Sequence, residues 1–339
     1  MAWPQRRFLG KAGPPCHPDG IGSFNESGPS GETALHRHAV FMCSALLVAF
    51  SAISAANAAD SERCRELSRR FEISKAQITA IEVSLTLFSS ADGNCTGLAT
   101  QLLDQGASVD ARDRIGARPL SHAARSGHLE MLDLLLARGA PIDARDLNGA
   151  TALYYAAERG HGPIVQRLIE RGADVKLTGK SGVSPVAAAA YAGRDSIVAL
   201  LLAHGADGRA PDDTGKPPVI YAAASGRLDI VKQLLGGGDL NARYANDLTL
   251  LMWACGPDEK VPEAQAIEVV SYLVDAGAHI DDRDDRGRTA LMIAAEGGHA
   301  EIADLLLKRG ADPALKDKAG KRAADLTVLT SLRERLTPH

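Results

Sequence analysis

Few residues in this chain stand in an order that supports chemistry. Asp281-Asp282-Arg283-Asp284-Asp285-Arg286-Gly287 has the acidic density of a calcium loop. Arg286 and Ile293, however, fall where such a loop needs ligating oxygens, so the segment reads as a charged turn. His122 and His128 lie six apart, and no Cys/His cluster has zinc spacing. Gly182-Val183-Ser184-Pro185-Val186 lacks the closing glycine of a nucleophile elbow, and Ser184 is better placed as a helix cap. No phosphate cradle of the G-x-x-x-x-G-K-S/T type is present. No enzyme, cofactor or metal is expected. Two kinds of residue remain: cysteines able to pair, and rings able to anchor a partner.

Cys64 and Cys95 flank a helix predicted over Ser74–Phe88. In an oxidising compartment they would pair, and closing a loop of this size contributes roughly 3 kcal/mol on the chain-entropy view. Two unpaired thiols in a cytosolic protein are the alternative, which a free-thiol count decides. Cys255 replaces an alanine of a recurrent Ala-Ala pair and is expected to be a buried, inert filler.

Residues 36–59 bear on the compartment. His36-Arg37-His38 precedes an uncharged run from Ala39 to Ala59 holding the apolar block FMCSALLVAFSAI, closed by Ala56-Asn57-Ala58. A basic flank, an apolar stretch and a small-residue cleavage site make a secretory signal over 35–58; a retained membrane anchor is the alternative. Residues 1–34 are rich in Gly, Pro and Ser and are expected to be disordered, or left untranslated if synthesis starts near Leu35 or Met42. The Ala-, Gly- and Arg-rich composition suggests a bacterial source. The expected location is periplasmic or secreted. A net charge of −4 and a pI near 6.2 argue against a nucleic-acid partner.

The elements that must position the rings come from a recurring phrase. GARPLSHAARSGHLEMLDLLLARGA starts at Gly116, GATALYYAAERGHGPIVQRLIERGA at Gly149 and GRTALMIAAEGGHAEIADLLLKRGA at Gly287. Gly116, Gly149, Gly182 and Gly215 fall 33 residues apart, a period that denotes a stack of small units rather than one globular core. In the unit from Asp146, Asp146-Leu147-Asn148-Gly149 is a turn and Thr151 caps a short helix, as Ser184, Thr249 and Thr289 do elsewhere. Pro119, Pro185 and Pro218 take the first helical turn, where a missing N–H costs nothing. A second helix, 163–170, carries Ile164, Val165, Leu168 and Ile169 on one stripe, and Gly172 ends it. Each hairpin is apolar on both neighbour-facing sides and needs stacking to offset its ordering entropy.

This pattern resembles the ankyrin repeat family: turn Asp and Gly, a Thr-Pro-Leu-His-like helix start, Ala-Ala, Gly-His, three Leu and Gly-Ala. Six units begin near Asp113, Asp146, Gly179, Asp212, Tyr244 and Asp284, within 98–326, about two-thirds of the chain. The resemblance implies an all-α solenoid of helix-turn-helix repeats with short β-hairpin-like turns; outside it, a helical cap with a disulfide is expected at 59–97 and a capping tail at 327–339. The family's helix-start His is replaced by Ser121, Tyr154, Ala187, Ile220, Met252 and Met292, which puts its hydrogen-bond ladder in doubt. Arg194 and Arg227 replace the His of Gly-His. A glycine run at 236–238, a deletion and the insert GPDEKVP at 256–262 mark the junction expected to be softest.

In such stacks a concave face, made of turn tips and one side of the first helix, grips proteins. The face position after the His slot holds His122, Tyr155, Ala188, Tyr221, Trp253 and Ile293, with Tyr191 nearby. Aromatics are only 4% of the chain, so rings gathered on one face point to interface anchors. Filling gaps left by the missing His residues is the alternative; Tyr154, in the His slot itself, is read as structural. Tip charges including Arg114, Lys216 and Arg286 are mixed in sign and favour a protein over a polyanion. The expected function is a non-catalytic, monomeric module binding an unidentified protein. The alternatives are a secreted effector acting on a host protein and a periplasmic chaperone-like maturation factor.

Overall fold

A computed structural model of the chain describes residues 62–75, 77–257 and 260–337. The signal segment and the extension before it lie outside the described residues, as do Asp258 and Glu259 of the insert. All regular structure among the described residues is helical.

Helix α1 (62–74) and helix α2 (Ala80–Asp92) precede α3 (Thr96–Asp104). Six hairpins follow in register with the sequence repeat. They are α4 (Pro119–Ser126) with α5 (Leu129–Ala137), α6 (Ala152–Arg159) with α7 (Gly162–Glu170), and α8 (Pro185–Tyr191) with α9 (Asp195–Ala203). Next come α10 (Pro218–Ala224) with α11 (Leu228–Leu235), α12 (Leu250–Ala254) with α13 (Glu263–Asp275), and α14 (Ala290–Gly297) with α15 (Ala300–Lys308). A seventh pair, α16 (Ala323–Leu326) and α17 (Thr330–Leu336), ends the stack. First helices stack on first helices and second helices on second helices, giving two layers with one continuous core between them.

Local chemistry sets each hairpin. Thr151, Ser184, Thr249 and Thr289 accept from the backbone N–H three residues on at 3.2–3.4 Å, as the sequence predicts. The apolar stripe repeats as Leu135, Leu168, Leu201, Leu273 and Leu306, each fully buried. The short turn between the two helices of the first hairpin uses Gly127 at φ 85°: a Cβ there would lie 2.7 Å from the His161 ring of the next unit. His161 spans that gap to donate from Nε2 to the Arg125 carbonyl at 3.0 Å, and His128 makes the same bond to the Asp92 carbonyl. Arg194 and Arg227 lie over Gly160 and Gly193 in the same way. His128 and His161 of the Gly-His pairs, not the helix-start slot, therefore supply this ladder, while Arg194 and Arg227 only cover the equivalent glycines.

Both ends differ from expectation. The helix expected over 74–88 starts later, at Ala80, where Thr79 and Glu82 form a capping box, and runs to Asp92 as α2; α1, which ends at residue 74, was not expected. α2 takes the place of a first helix against α4, so the stack begins before Leu98. Its sequence carries none of the repeat signature, only Leu87, Phe88, Ser90 and Ala91 turned inward. At the other end α17 is a true second helix: Leu332 and Leu336 are fully buried and Arg335 pairs with Asp304 of α15. Cys64 and Cys95 are joined, with Cα atoms 5.3 Å apart, and Cys255 is a buried free thiol. Burial pushes the Cys255 thiol up and keeps it inert at neutral pH.

The loops that link hairpins show where the stack is weakest. Arg118 donates to the Arg145 carbonyl, Arg145 to Thr178, Arg243 to Arg283 and Arg283 to Lys316, so each arginine bridges to the next loop. Asp143 accepts from Asp174 N–H, Asn241 from His279 N–H and Asp281 from Asp312 N–H in a second set of bridges. Neither set joins the loop at 173–179 to that at 206–212, or the latter to 238–244, because Thr178 and Pro211 stand in the arginine position. Two pockets of about 250 Å³ open at those two places, one lined by Val175, Ala206 and Pro211, the other by Gly208, Leu234 and Tyr244. The weak region thus extends towards the N-terminus from the glycine run. In native-state hydrogen exchange, amides at 206–212 and 236–244 are expected to exchange before their equivalents at 140–146 and 278–284. Equal protection at all four loops would contradict this account.

Candidate functional site

Where a turn carries its aspartate, that residue organises it. Asp146 Oδ1 accepts from the N–H groups of Asn148 and Ala150 at 2.8 and 2.9 Å, and Asp212 Oδ1 from those of Thr214 and Lys216 at 2.8 and 2.9 Å. Asp113 and Asp284 do the same. One oxygen per carboxylate is left to face the first helix. There Asp146 Oδ2 accepts from Tyr155 Oη and Asp212 Oδ2 from Tyr221 Oη, both at 2.5 Å, while Asp113 Oδ2 lies 3.1 Å from His122 Nε2. The face position is thus tied to the turn of its own unit, nine residues before it.

Where the tie is broken, both ends change. In the third unit Gly179 replaces the aspartate and Ala188 replaces the ring. In the fifth, Tyr244 replaces the aspartate and Trp253 takes the face position; its indole Nε1 is buried without an acceptor among the described residues. In the sixth, Ile293 cannot donate, and Arg286 turns back on Asp284 Oδ2 at 3.3 Å instead. The two units without aspartate close their turns through Lys180–Gly182 and Ala245–Asp247, with Ser181 and Asn246 in the left-handed region.

The predicted site residues therefore divide. Tyr155, Tyr221 and Trp253 lie half-buried along one side of α6, α10 and α12, and the two tyrosine hydroxyls are already engaged by their turn aspartates. Lys216 Nζ lies 6.0 Å from the Tyr221 ring centroid and 5.3 Å from that of Trp253, joining the fourth and fifth units. Tyr191 is 48% exposed, and Arg114 and Arg286 are exposed at the tips. His122 is different. It is only 7% exposed, stacks 4.9 Å from Phe88, and places Nδ1 3.0 Å from Asp92. Its place among cap residues makes it a structural clasp between α2 and the first unit, not a presented anchor. Tyr154 packs over Gly179, and burial pushes its hydroxyl up to about 12. Sequence reasoning missed the aspartate–tyrosine tie; its signal was the nine-residue spacing shared by Asp146/Tyr155 and Asp212/Tyr221.

The ties leave a pH signature. Burial, then the hydrogen bond to its aspartate, pushes each of Tyr155 and Tyr221 well above the ordinary tyrosine range. Burial raises Asp212 too, but bonds from Tyr221, Lys216 N–H and Thr214 outweigh it and hold the carboxyl below its usual value. A carboxyl depressed in the folded state adds stability above its unfolded pKa of about 3.9 and loses it as pH falls through the folded value. The phenol works the other way: its contribution is complete below about pH 10 and is lost as pH rises through the folded value. Absorbance at 295 nm should show at least two tyrosines ionising above the free-tyrosine range, and Asp212→Asn should bring one of them back towards it. An unchanged titration curve would remove the Asp212–Tyr221 tie.

Two stacked helical layers, with a turn projecting from every hairpin, define a repeat solenoid. The Ankyrin repeats (3 copies) family matches residues 87–179, 163–244 and 230–317, so the chain belongs to the ankyrin repeat family. Ankyrin repeats are protein–protein interaction modules. The chain is similar to Ankyrin repeat domain-containing protein 63 of Mus musculus, 39% identical over 82 residues that make up 24% of this chain and 20% of that protein. The protein of the same name from Homo sapiens is 36% identical over 81 residues, with the same shares. Ankyrin repeat and KH domain-containing protein 1 of Homo sapiens is 45% identical over 64 residues, covering 17% of this chain and 2% of that protein. The chain thus spans about a fifth or less of the length of these relatives. Among the described residues no group of three or more His, Cys, Asp or Glu is placed to hold a metal ion, and no helix is long and apolar enough to cross a membrane.

Proposed function

We propose that this protein binds another protein through the face formed by its turn tips and first helices. The observation that carries the reading is the row Tyr155, Tyr221 and Trp253, held on the first helices of the second, fourth and fifth units of a stack whose other large apolar groups are mostly turned inward. Rings already fixed by the Asp146 and Asp212 bonds lose little entropy on binding, and ordered aromatics are strong contributors to interfaces. The tips add charges of both signs, which tune encounter rate and partner choice. The Cys64–Cys95 pair supports residence in an oxidising compartment, and with the signal read at 35–58 we place the protein outside the cytoplasm.

The test is capture of partners by purified wild-type protein beside Tyr221→Ala/Trp253→Ala, with helical circular dichroism confirming that the variant is folded. A protein retained by wild type and lost by the variant is expected. A partner held equally by both would refute this face as the binding site.

A further inference from the structure

The fifth unit holds a donor and a cation with one unmet need. In the first, second and fourth units the face residue meets a turn carboxylate: His122 with Asp113, Tyr155 with Asp146, Tyr221 with Asp212. Trp253 is the equivalent residue of the fifth unit, and its N–H is likewise withdrawn from solvent. Tyr244 stands where the aspartate would be, so the acceptor those other units use is missing. Lys216 projects over the same indole, 5.3 Å from its centroid, from the tip of the unit before. Lys216 is half-buried as a residue, its Nζ lies over the two rings, and among the described residues it forms no ion pair. The turn carboxylate of the Lys216 unit, Asp212, is already engaged by Tyr221, Thr214 and two backbone N–H groups.

A buried N–H without an acceptor is costly, and a cation held against two rings attracts an anion more strongly than a solvated one. One carboxylate would satisfy both. We infer that the partner of this face supplies an Asp or Glu side chain that enters between the fourth and fifth units, paired with Lys216 and accepting from Trp253 Nε1. The inference rests on the proposed binding face and adds the chemistry of one contact to it. It also gives a reason for the replacement of the turn aspartate by Tyr244, since an internal carboxylate there would repel the incoming one.

The experiment follows the indole N–H resonance of Trp253 in the full chain, separated from Trp3 by a Trp3→Phe variant. The probes are N-acetylated, C-amidated hexaglutamate and the matching hexaglutamine. Hexaglutamate is expected to move the Trp253 resonance downfield in a saturable way, hexaglutamine to leave it in place, and Lys216→Met to weaken the response at least tenfold. Equal responses to the two peptides, or a response unaffected by Lys216→Met, would overturn the inference. It would also fall if Asp258→Asn/Glu259→Gln alone moved the resonance as far as the peptide does, because the chain itself would then supply the acceptor. If hexaglutamate fails while partner capture is still lost in Tyr221→Ala/Trp253→Ala, the carboxylate assignment is wrong and the binding face stands. If capture is indifferent to that double substitution, the face itself is wrong.

Discussion

Replacing Leu201 by Ala is expected to lower the unfolding free energy by about 3–5 kcal/mol and to divide one unfolding transition into two. Leu201 is fully buried in α9, in the third of six signature-bearing hairpins, where it packs between neighbours on both sides. Truncation removes apolar contact and leaves a cavity that a stiff stack cannot close. In a solenoid the loss is not shared by the whole molecule. Each hairpin is held only by the hairpins beside it, so weakening the middle uncouples the two ends. The loops at 173–179 and 206–212, on either side of this hairpin, are not joined to each other by the arginine and Asp/Asn bridges present elsewhere, which makes this the place where coupling has least reserve. Urea unfolding monitored by circular dichroism and by Trp253 fluorescence should become non-coincident in Leu201→Ala. A single coincident transition shifted by less than 1 kcal/mol would show that the core is shared rather than linear. Leu147→Ala is the control: that side chain is 81% exposed, and its removal should move stability by no more than about 0.5 kcal/mol.

Reducing the Cys64–Cys95 disulfide is expected to cost about 3–4 kcal/mol, by returning freedom to a loop closed across 31 residues. The effect should stay at the amino-terminal end. α1 meets the rest through Phe71, which is buried, and through partly buried Leu67, while Ile73, Ile81 and Leu85 are exposed. So small a contact cannot order a helix for long without the covalent tie. Hydrogen exchange under reductant should therefore accelerate through 62–92 and leave 119–308 unchanged. Before reduction, thiol titration of unfolded protein lacking the segment before Ala59 should find one reactive thiol, that of Cys255; three would mean that Cys64 and Cys95 are unpaired. If reduction changed neither stability nor exchange, the bond would be incidental to the fold.

The parts of this structure that repeat were legible before any coordinates. Turn residues, Thr and Ser caps, first-turn prolines and the apolar stripe recur at fixed spacing, and repetition lets each weak local signal check the others. Both ends escaped because capping elements answer to water on one side and need not keep the signature. Thus α2 serves as a first helix on the strength of Leu87, Phe88 and Ala91 alone, and α17 was expected only as a tail. The face was half legible. Position after the helix-start slot puts Tyr155, Tyr221 and Trp253 at equivalent places on their first helices, and counts His122 with them. What separates His122 is the approach of Asp92 from the cap, a contact across 30 residues that no local spacing encodes. The same limit hid the unmet acceptor of Trp253, which becomes visible only when Tyr244 is seen to occupy an aspartate's place.

The most direct test of the account is a hydrogen-exchange footprint of the protein bound to whatever partner wild type captures. Slowed exchange is expected in α6, α8, α10 and α12 and in the turns at 179–183, 212–216 and 244–248, with α7, α9, α11 and α13 unaffected. Protection confined to those second helices, or to α1 and α2, would place the partner elsewhere and contradict the claim that the ring-lined side of this stack is what it uses to bind.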